Sequence, residues 1–364
     1  MGTRAAERQG TLLAVTEIIR VDPQHPDREV VSRAADRLRR GGLVAFPTET
    51  VYGLGAHALD RAAVRRLFEV KGRPSDDPLI VHVAGFDEIA ALAADVPGIA
   101  ATLAQRFWPG PLTLVVRRAA SVPAEVTAGM DTVAIRVPAH PVAQALLAAA
   151  RLPVAAPSAN LFSRPSPTRA SHVLEDLAGR IDMVLDAGQT DIGVESTVLD
   201  LTSVPPMVLR PGAVGIEALR EFIPDAQLRI AALAGGRSPM ASPGLLSQHY
   251  APRTPMTLYH ADATMSPAAF VAGVHEALAK GRRVGVLATT EDAVALRHLP
   301  VVIAELGPER DVEAIAARLY AALRELDAGQ LDVILARDFP STAGLWRAVR
   351  DRLRRASAQY VEVS

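Results

Sequence analysis

Residues 43–83 read LVAFPTETVYGLGAHALDRAAVRRLFEVKGRPSDDPLIVHV. An apolar strand runs into Pro47-Thr48-Glu49-Thr50-Val51-Tyr52-Gly53-Leu54-Gly55, a helix follows, and after Lys71-Gly72-Arg73-Pro74-Ser75 a second strand ends at His82. Asp60 is placed to cap that helix, whose apolar residues Ala63, Val64, Leu67 and Phe68 recur at helical spacing. Strand, helix, strand predicts an α/β fold. It also brings hydroxyls, backbone amides and two cations to the ends of neighbouring strands, where an anion is held without burying an unpaired charge.

Outward from this stretch the same alternation continues. A helix over Asp27–Arg40, carrying Val30, Val31, Ala34 and Leu38 and stopped by Gly41-Gly42, precedes it, and the apolar run Leu12–Ile19 reads as a first strand. Further strands are predicted at Leu112–Arg117, Thr132–Pro138, Met183–Asp186, Ser196–Leu201 and Met207–Leu209, with helices at Phe86–Ala94, Pro97–Phe107, Pro141–Ala150 and Ser171–Leu177. From Ile223 to Thr254 periodicity stops and turn formers cluster, as in Gly235-Gly236-Arg237-Ser238-Pro239 and Ser242-Pro243-Gly244. Beyond it, short apolar runs at Met256–His260, Arg283–Ala288, Val301–Leu306 and Asp332–Ala336 alternate with helical patterns, one carrying Ile315, Leu319, Leu323 and Leu326. The expected organisation is a mixed α/β domain over 1–222, a Gly/Pro-rich linker over 223–254, and a smaller parallel, doubly wound (Rossmann-like) domain over 255–364.

Composition removes whole classes of function. With 364 residues, 39 basic against 40 acidic side chains and a net charge of -1, there is no global field to gather nucleic acid or anionic membrane. Any phosphate binding must be local. The absence of cysteine excludes disulfides, thiolate zinc sites, iron–sulfur clusters and cysteine nucleophiles. The nine histidines show no metal-binding spacing. With no apolar stretch of membrane-spanning length and no small-residue cleavage pattern, a cytoplasmic protein is expected.

Two further clusters carry chemistry. Ala155-Ala156-Pro157-Ser158-Ala159-Asn160 follows an apolar run and is followed by Ser163, Ser166 and Thr168, a set suited to phosphate or ribose, though equally the composition of an ordinary loop. Glu195-Ser196-Thr197 pairs with Arg210-Pro211-Gly212, where Arg210 ends a strand and suits either a bidentate phosphate contact or a buried ion pair. Lys71, Arg73, Arg136 and Arg210 together supply cations matched to a polyanion such as ATP, while Asp76 and Asp77 are placed to neutralise the first two. The basic runs Arg37–Arg40 and Arg350–Arg355 are expected on solvated helix faces, and Val284–Thr290 leads into Glu291-Asp292 in place of a dinucleotide-binding glycine turn.

The segments PTETVYGLG, KGRPSDDPLIVHV, GPLTLVV, DTVAIRVP, APSAN, ESTVLD and LRPG resemble the YrdC-like family, in its long form with a C-terminal domain. That resemblance covers about residues 27–215 strongly and the rest by layout. It implies a twisted, YrdC-like mixed sheet in the N-terminal domain, and an activity that joins L-threonine, bicarbonate or CO2 and ATP into threonylcarbamoyl-adenylate and pyrophosphate, toward threonylcarbamoyladenosine in tRNA. It implies a threonine pocket of Thr48, His82, Arg136, Ala156 through its backbone, and Ser196. It implies an ATP site of Lys71, Ser75, Thr132, Ser158, Asn160, Ser166, Arg210 and Tyr250, with Lys71, Arg73 and Arg210 facing the reacting phosphates.

No covalent nucleophile is required for such a reaction, which needs position and charge stabilisation, with Mg2+ on the phosphates and no protein-ligated metal. Arg136, with its two-pronged fork, suits a carboxylate. His249 is expected to be a loop contact, and Tyr250 to lie over the site. Partners are expected to be the three substrates and downstream threonylcarbamoyl-transfer proteins, without stable nucleic-acid or membrane binding. The rival readings are a double-stranded RNA-binding module, opposed by neutral charge and 4% aromatic content, and a carbamoyl-adenylate-forming enzyme, opposed by the missing cysteine-based zinc modules.

Overall fold

The computed structural model describes residues 15–229, 250–260 and 267–362; the glycine-rich stretches at 235–239 and 242–244, and His249, lie outside them. Among the described residues the N-terminal part builds a 12-stranded mixed sheet and the C-terminal part a 5-stranded parallel sheet. No helix among the described residues is long and apolar enough to cross a membrane.

The helices form where caps and apolar spacing agree. Asp27 accepts from the Glu29 and Val30 amides to open Arg28–Arg39, which buries Val31, Ala34, Ala35 and Leu38. Asp60 accepts from the Ala62 and Ala63 amides to open Arg61–Lys71. The first strand, Glu17–Arg20, runs parallel to Met183–Asp186 at the sheet edge.

Two expectations are corrected. The nine residues from Pro47 do not lead straight into a helix: Gly53–His57 is a strand antiparallel to Val44–Phe46, so the motif is the turn of a hairpin. Gly53 and Gly55 carry no side chain and so dilute the alternation that marks a strand. The expected helix at Phe86–Ala94 is a 3-10 turn over Phe86–Ala91 followed by the strand Ala93–Asp95, because Arg117 and Arg118, at the end of the strand Leu112–Arg118, take it as an antiparallel partner.

The central strands align the site. Ile80–His82 lies parallel to Thr132–Arg136 with His82 opposite Arg136. Thr132–Arg136 is antiparallel to Leu112–Arg118, which is parallel to Thr197–Asp200, with Thr113 opposite Val198. Thr197–Asp200 is antiparallel to Met207–Arg210, with Val198 opposite Arg210. His82, Arg136, Thr113, Ser196 and Arg210 therefore meet at one end of five consecutive strands. On the face of these strands that Arg136 shares with Ala134, a strip of strand residues only, Ile80, Val115, Ala134, Val198 and Leu209, runs away from that end.

In the C-terminal part the strand order is Val302–Glu305, Val284–Ala288, Val333–Arg337, Met256–His260, Gln359–Glu362. Val333 and Leu335 pack with Phe270 and Val274 in one layer, whereas Ile334 and Ala336 pack with Leu319, Leu323 and Val349 in the other. Both faces are covered, as in a doubly wound sheet, although the order by chain position is 3-2-4-1-5 and not the dinucleotide-binding 3-2-1-4. After Val284–Ala288, Thr289 and Asp292 form a capping box and the Asp292 carboxylate accepts Arg337 Nε at 2.7 Å, so an anionic group already occupies that helix start.

The two parts pack together. Val51 and Val194 share one apolar cluster with Tyr250, Ile315, Leu319 and Tyr320. The last helix, Leu345–Ala356, corrects the reading of its basic run as solvated: Arg354 is half exposed, but Arg350 pairs with Asp338 at 2.8 Å and the Arg352 side chain has 0% exposure. A charge run on one side of a helix says nothing about whether another domain covers that side.

Candidate active site

A cleft opens where the five central strands end, lined by the hairpin turn, by Ala156-Pro157-Ser158, and by Arg73, His82, Arg136, Glu195, Ser196, Arg210 and Tyr250. All five residues expected for a threonine pocket, Thr48, His82, Arg136, Ala156 and Ser196, line it. The Thr48 hydroxyl builds the turn: it accepts from the Thr50 and Val51 amides, lies 2.8 Å from Thr50 Oγ1 and donates to the Val51 carbonyl at 2.6 Å. The Ala156 amide is taken by the Ile80 carbonyl at 3.0 Å, which fixes the residue against the central strands.

Arg136 is buried and held on three sides. Its Nη2 donates to Glu49 Oε1 at 2.6 Å, its Nη1 to Thr50 Oγ1 at 3.0 Å and its Nε to the Gly110 carbonyl at 3.2 Å. Among the described residues these use three of five N–H donors, which leaves one on each Nη for a carboxylate. Glu49 was visible in the motif, but only the fold reveals it as the partner of Arg136. His82 is buried beside it, and burial first, then the Arg136 guanidinium, push its imidazole down to about 3. It is therefore neutral near pH 7, and its buried Nδ1 has no hydrogen-bond partner among the described residues.

Ser196 is fixed by Thr113 Oγ1 at 2.7 Å and by Arg210, whose Nη2 donates to its hydroxyl at 3.1 Å and whose Nε donates to its carbonyl at 3.1 Å. Burial lowers the Arg210 guanidinium from its usual value, but a group of such basicity stays charged. Gly212 explains the Arg-Pro-Gly turn: a Cβ there would sit 2.2 Å from the Thr197 amide nitrogen, so only glycine lets this turn lie on the Ser196–Thr197 backbone.

The expected nucleotide residues divide. Ser158, Arg210 and Tyr250 line the cleft, as does Arg73. Arg73 pairs with Asp77 at 2.8 Å and donates to the Pro78 carbonyl at 2.8 Å. Lys71 lies behind the cleft wall: only 1% exposed, its Nζ donates to the Ser158 and Asn160 carbonyls, each at 2.5 Å. Burial and then the neighbouring Arg73 hold its amine well below the usual lysine value. Asn160 spends its amide on the Leu161 and Arg164 carbonyls, and Ser166 donates to Glu195 at 2.5 Å. Ser75 is exposed outside the cleft. Thr132 starts the strand that Arg136 ends, on the same face and about 13 Å away at 3.3 Å per residue, at the far end of the apolar strip.

Sequence reasoning missed four residues. Thr50 and Thr113 orient Arg136 and Ser196; Tyr320 and Arg352, from the C-terminal part, reach Glu195. Tyr320 sits in a helix legible only as apolar, and Arg352 in a run legible only as basic.

A family model described as "Telomere recombination" (Sua5/YciO/YrdC) matches residues 36–212, and one described as "Threonylcarbamoyl-AMP synthase, C-terminal domain" matches residues 214–358. The threonylcarbamoyl-AMP synthase of Pyrococcus abyssi is 44% identical over 90% of this chain and 94% of its own length. That of Bacillus subtilis is 43% identical over 93% of this chain and 94% of its own. A crystal structure of P. abyssi Sua5 complexed with L-threonine superposes with a TM-score of 0.88 at 42% identity, covering 96% of this chain and 100% of that one.

Proposed function

The chain belongs to the threonylcarbamoyl-AMP synthase family, and on that premise we propose that it condenses L-threonine, bicarbonate or CO2 and ATP into threonylcarbamoyl-AMP and pyrophosphate. The observation that carries this reading is the convergence of Arg136, fixed by Glu49 with two donors to spare, and Arg210, fixed on Ser196, in one cleft of neutral His82 and strand-end hydroxyls.

In this reading the threonine carboxylate meets Arg136, and the substrate lies among Thr48, His82, Ala156 and Ser196. Its amine adds to CO2 to give a carbamate, losing one proton. A carbamate oxygen then attacks the α-phosphorus in line, forming the C–O–P linkage as the bond to pyrophosphate breaks. Arg210 and Arg73 line the cleft where negative charge grows on the phosphates, and fixed cations there stabilise it without reorganisation. Lys71 serves this step by holding the Ser158–Asn160 loop through its two carbonyls. The apolar strip from Ile80 to Leu209 suits a nucleobase, with Thr132 at its end. Asn160 and Ser166 support the nucleotide half from behind the cleft lining, and Ser75, exposed outside the cleft, is assigned to it by the family resemblance alone.

Mg2+ enters on the phosphates of ATP, as part of the substrate. Among the described residues, Glu195 at the cleft and Glu49 behind the hairpin turn are taken by Arg352 with Tyr320 and by Arg136, so these two carboxylates do not fit a resident metal. The three-part division at 222 and 254 is part of the proposal; Tyr250, buried in the cleft wall, is the described residue near its second boundary that reaches the site. Transfer to tRNA falls to partner proteins in the cytoplasm.

The test is pyrophosphate release from ATP and Mg2+ by the purified protein. Release that needs both L-threonine and bicarbonate supports the proposal; release with carbamoyl phosphate in their place, or release that ignores threonine, refutes it.

A further inference from the structure

The motif Glu195-Ser196 is held from two sides. Ser196 is anchored by Thr113 and Arg210, both in the N-terminal domain. Glu195 is anchored from the C-terminal domain: Arg352 Nε donates to Oε2 at 2.7 Å, and the Tyr320 hydroxyl lies 3.1 and 3.0 Å from its two oxygens. Among the described residues, the remaining bond to this carboxylate comes from Ser166, whose hydroxyl donates to Oε1 at 2.5 Å. Arg352 also donates to the Pro211 carbonyl at 3.1 Å, beside Arg210, and its guanidinium lies 5.1 Å from the centre of the Tyr250 ring.

A fully buried arginine is an expensive way to join two domains, since apolar side chains of the same volume hold an interface as well or better. Its geometry here serves a different end. One side chain reaches the Glu195 carboxylate, the Arg-Pro-Gly turn and the tyrosine on the cleft wall. Burial alone would raise the Glu195 carboxyl; the Arg352 and Arg210 guanidiniums and the Ser166 hydroxyl outweigh it and bring it down to about 2, so it is an anion at any working pH. As an anion it only accepts hydrogen bonds, which obliges the Ser166 and Tyr320 hydroxyls to point toward it.

We propose that Arg352 and Tyr320 are positioning residues of the adenylation site, holding Glu195 so that it orients Ser166, and that the C-terminal domain is thereby a working part of the nucleotide half of the site. This rests on the functional reading above. It separates the two halves: loss of the clamp should disturb ATP use and leave the threonine pocket, with its own anchors, intact.

The experiment uses the full chain with Tyr320→Phe, Arg352→Met and Arg352→Lys. It measures kcat/KM for ATP by pyrophosphate release, Kd for L-threonine by calorimetry without ATP, and thermal unfolding. Tyr320→Phe, which keeps the ring and its packing, should lower kcat/KM for ATP about tenfold, and Arg352→Met about 100-fold, with Arg352→Lys recovering part of the loss. The Kd for L-threonine should stay within about twofold of the parent. Values of kcat/KM for ATP within about twofold of the parent in folded Tyr320→Phe overturn the proposal, whether or not Arg352→Met folds. So does an equal loss of threonine affinity, which marks general loosening of the interface. A parent chain that releases no pyrophosphate refutes the functional reading, and the proposal with it; a parent that turns over beside unaffected variants refutes the proposal alone.

Discussion

Arg136 and Glu49 form a buried ion pair, 2.6 Å from Nη2 to Oε1, that ties the end of a central strand to the turn of the first hairpin. The second carboxylate oxygen accepts the Ala139 amide at 3.0 Å, so the acid is itself fixed. Glu49→Gln keeps the shape and removes the charge that aligns the guanidinium. Threonine should bind about tenfold more weakly, or about 1.4 kcal/mol. Calorimetry on the folded variant checks this, and an unchanged Kd would mean that Arg136 does not meet the substrate.

Arg210 and Lys71 should both be needed, for different reasons. Arg210→Ala should cut pyrophosphate release by about 100-fold or more, near 3 kcal/mol, as expected for one charge contact to a transition state. Lys71→Ala should lose comparable activity and, in addition, stability, because the Ser158 and Asn160 carbonyls lose a shared donor at about 1–3 kcal/mol each. Urea denaturation beside turnover separates the two. Normal turnover in both variants contradicts the site assignment.

Much of the site was legible because its residues sit at strand ends within short motifs, where hydroxyl, amide and cation cluster. Thr48, Arg136 and Ser196 stand out in this way, while their grouping with His82 and Ala156 as a threonine pocket comes from the family resemblance; the structure brings all five to one cleft. Pairings across the sheet were not legible: nothing in the spacing of Glu49 and Arg136 says they touch. The hairpin strand Gly53–His57 was hidden by its glycines, and the strand Ala93–Asp95 by its dependence on a distant edge. Burial of Arg352 was illegible because it depends on how one domain lies on another. The C-terminal alternation of short apolar runs and helices, by contrast, reads directly as a parallel sheet covered on both faces.

His82 should leave a mark on stability as pH falls. Folded, burial and Arg136 keep it at about 3; unfolded, it takes a proton near 6.5. Between these values the unfolded chain binds more protons, so stability that is complete above 6.5 is lost toward 3, by up to about 1.4 kcal/mol per pH unit. His172, brought to about 4 by burial and then Arg324, acts with the same sign. Replacing His82 with asparagine should flatten this acid limb, read from denaturation midpoints between about pH 6.5 and 4.5. A slope equal to the parent's would show that His82 is not held neutral.

Gly193 reports on the contact between the domains. Its φ of +78° suits glycine, and a Cβ there would stand 2.3 Å from the Ala316 carbonyl oxygen on the helix Val312–Asp327. Gly193→Ala should cost about 2 kcal/mol or more, from left-handed strain and overpacking together. An unshifted urea midpoint would mean that the two parts do not pack as described.

The central claim is that a carbamate oxygen joins the α-phosphorus of ATP. It is tested most directly by supplying 13C-bicarbonate with L-threonine, ATP and Mg2+, and recording carbon and phosphorus NMR of the product. The account predicts a carbonyl carbon split by coupling to the α-phosphorus of AMP, appearing together with pyrophosphate. Labelled carbon without phosphorus coupling, or release of inorganic phosphate and ADP in place of pyrophosphate, would contradict it.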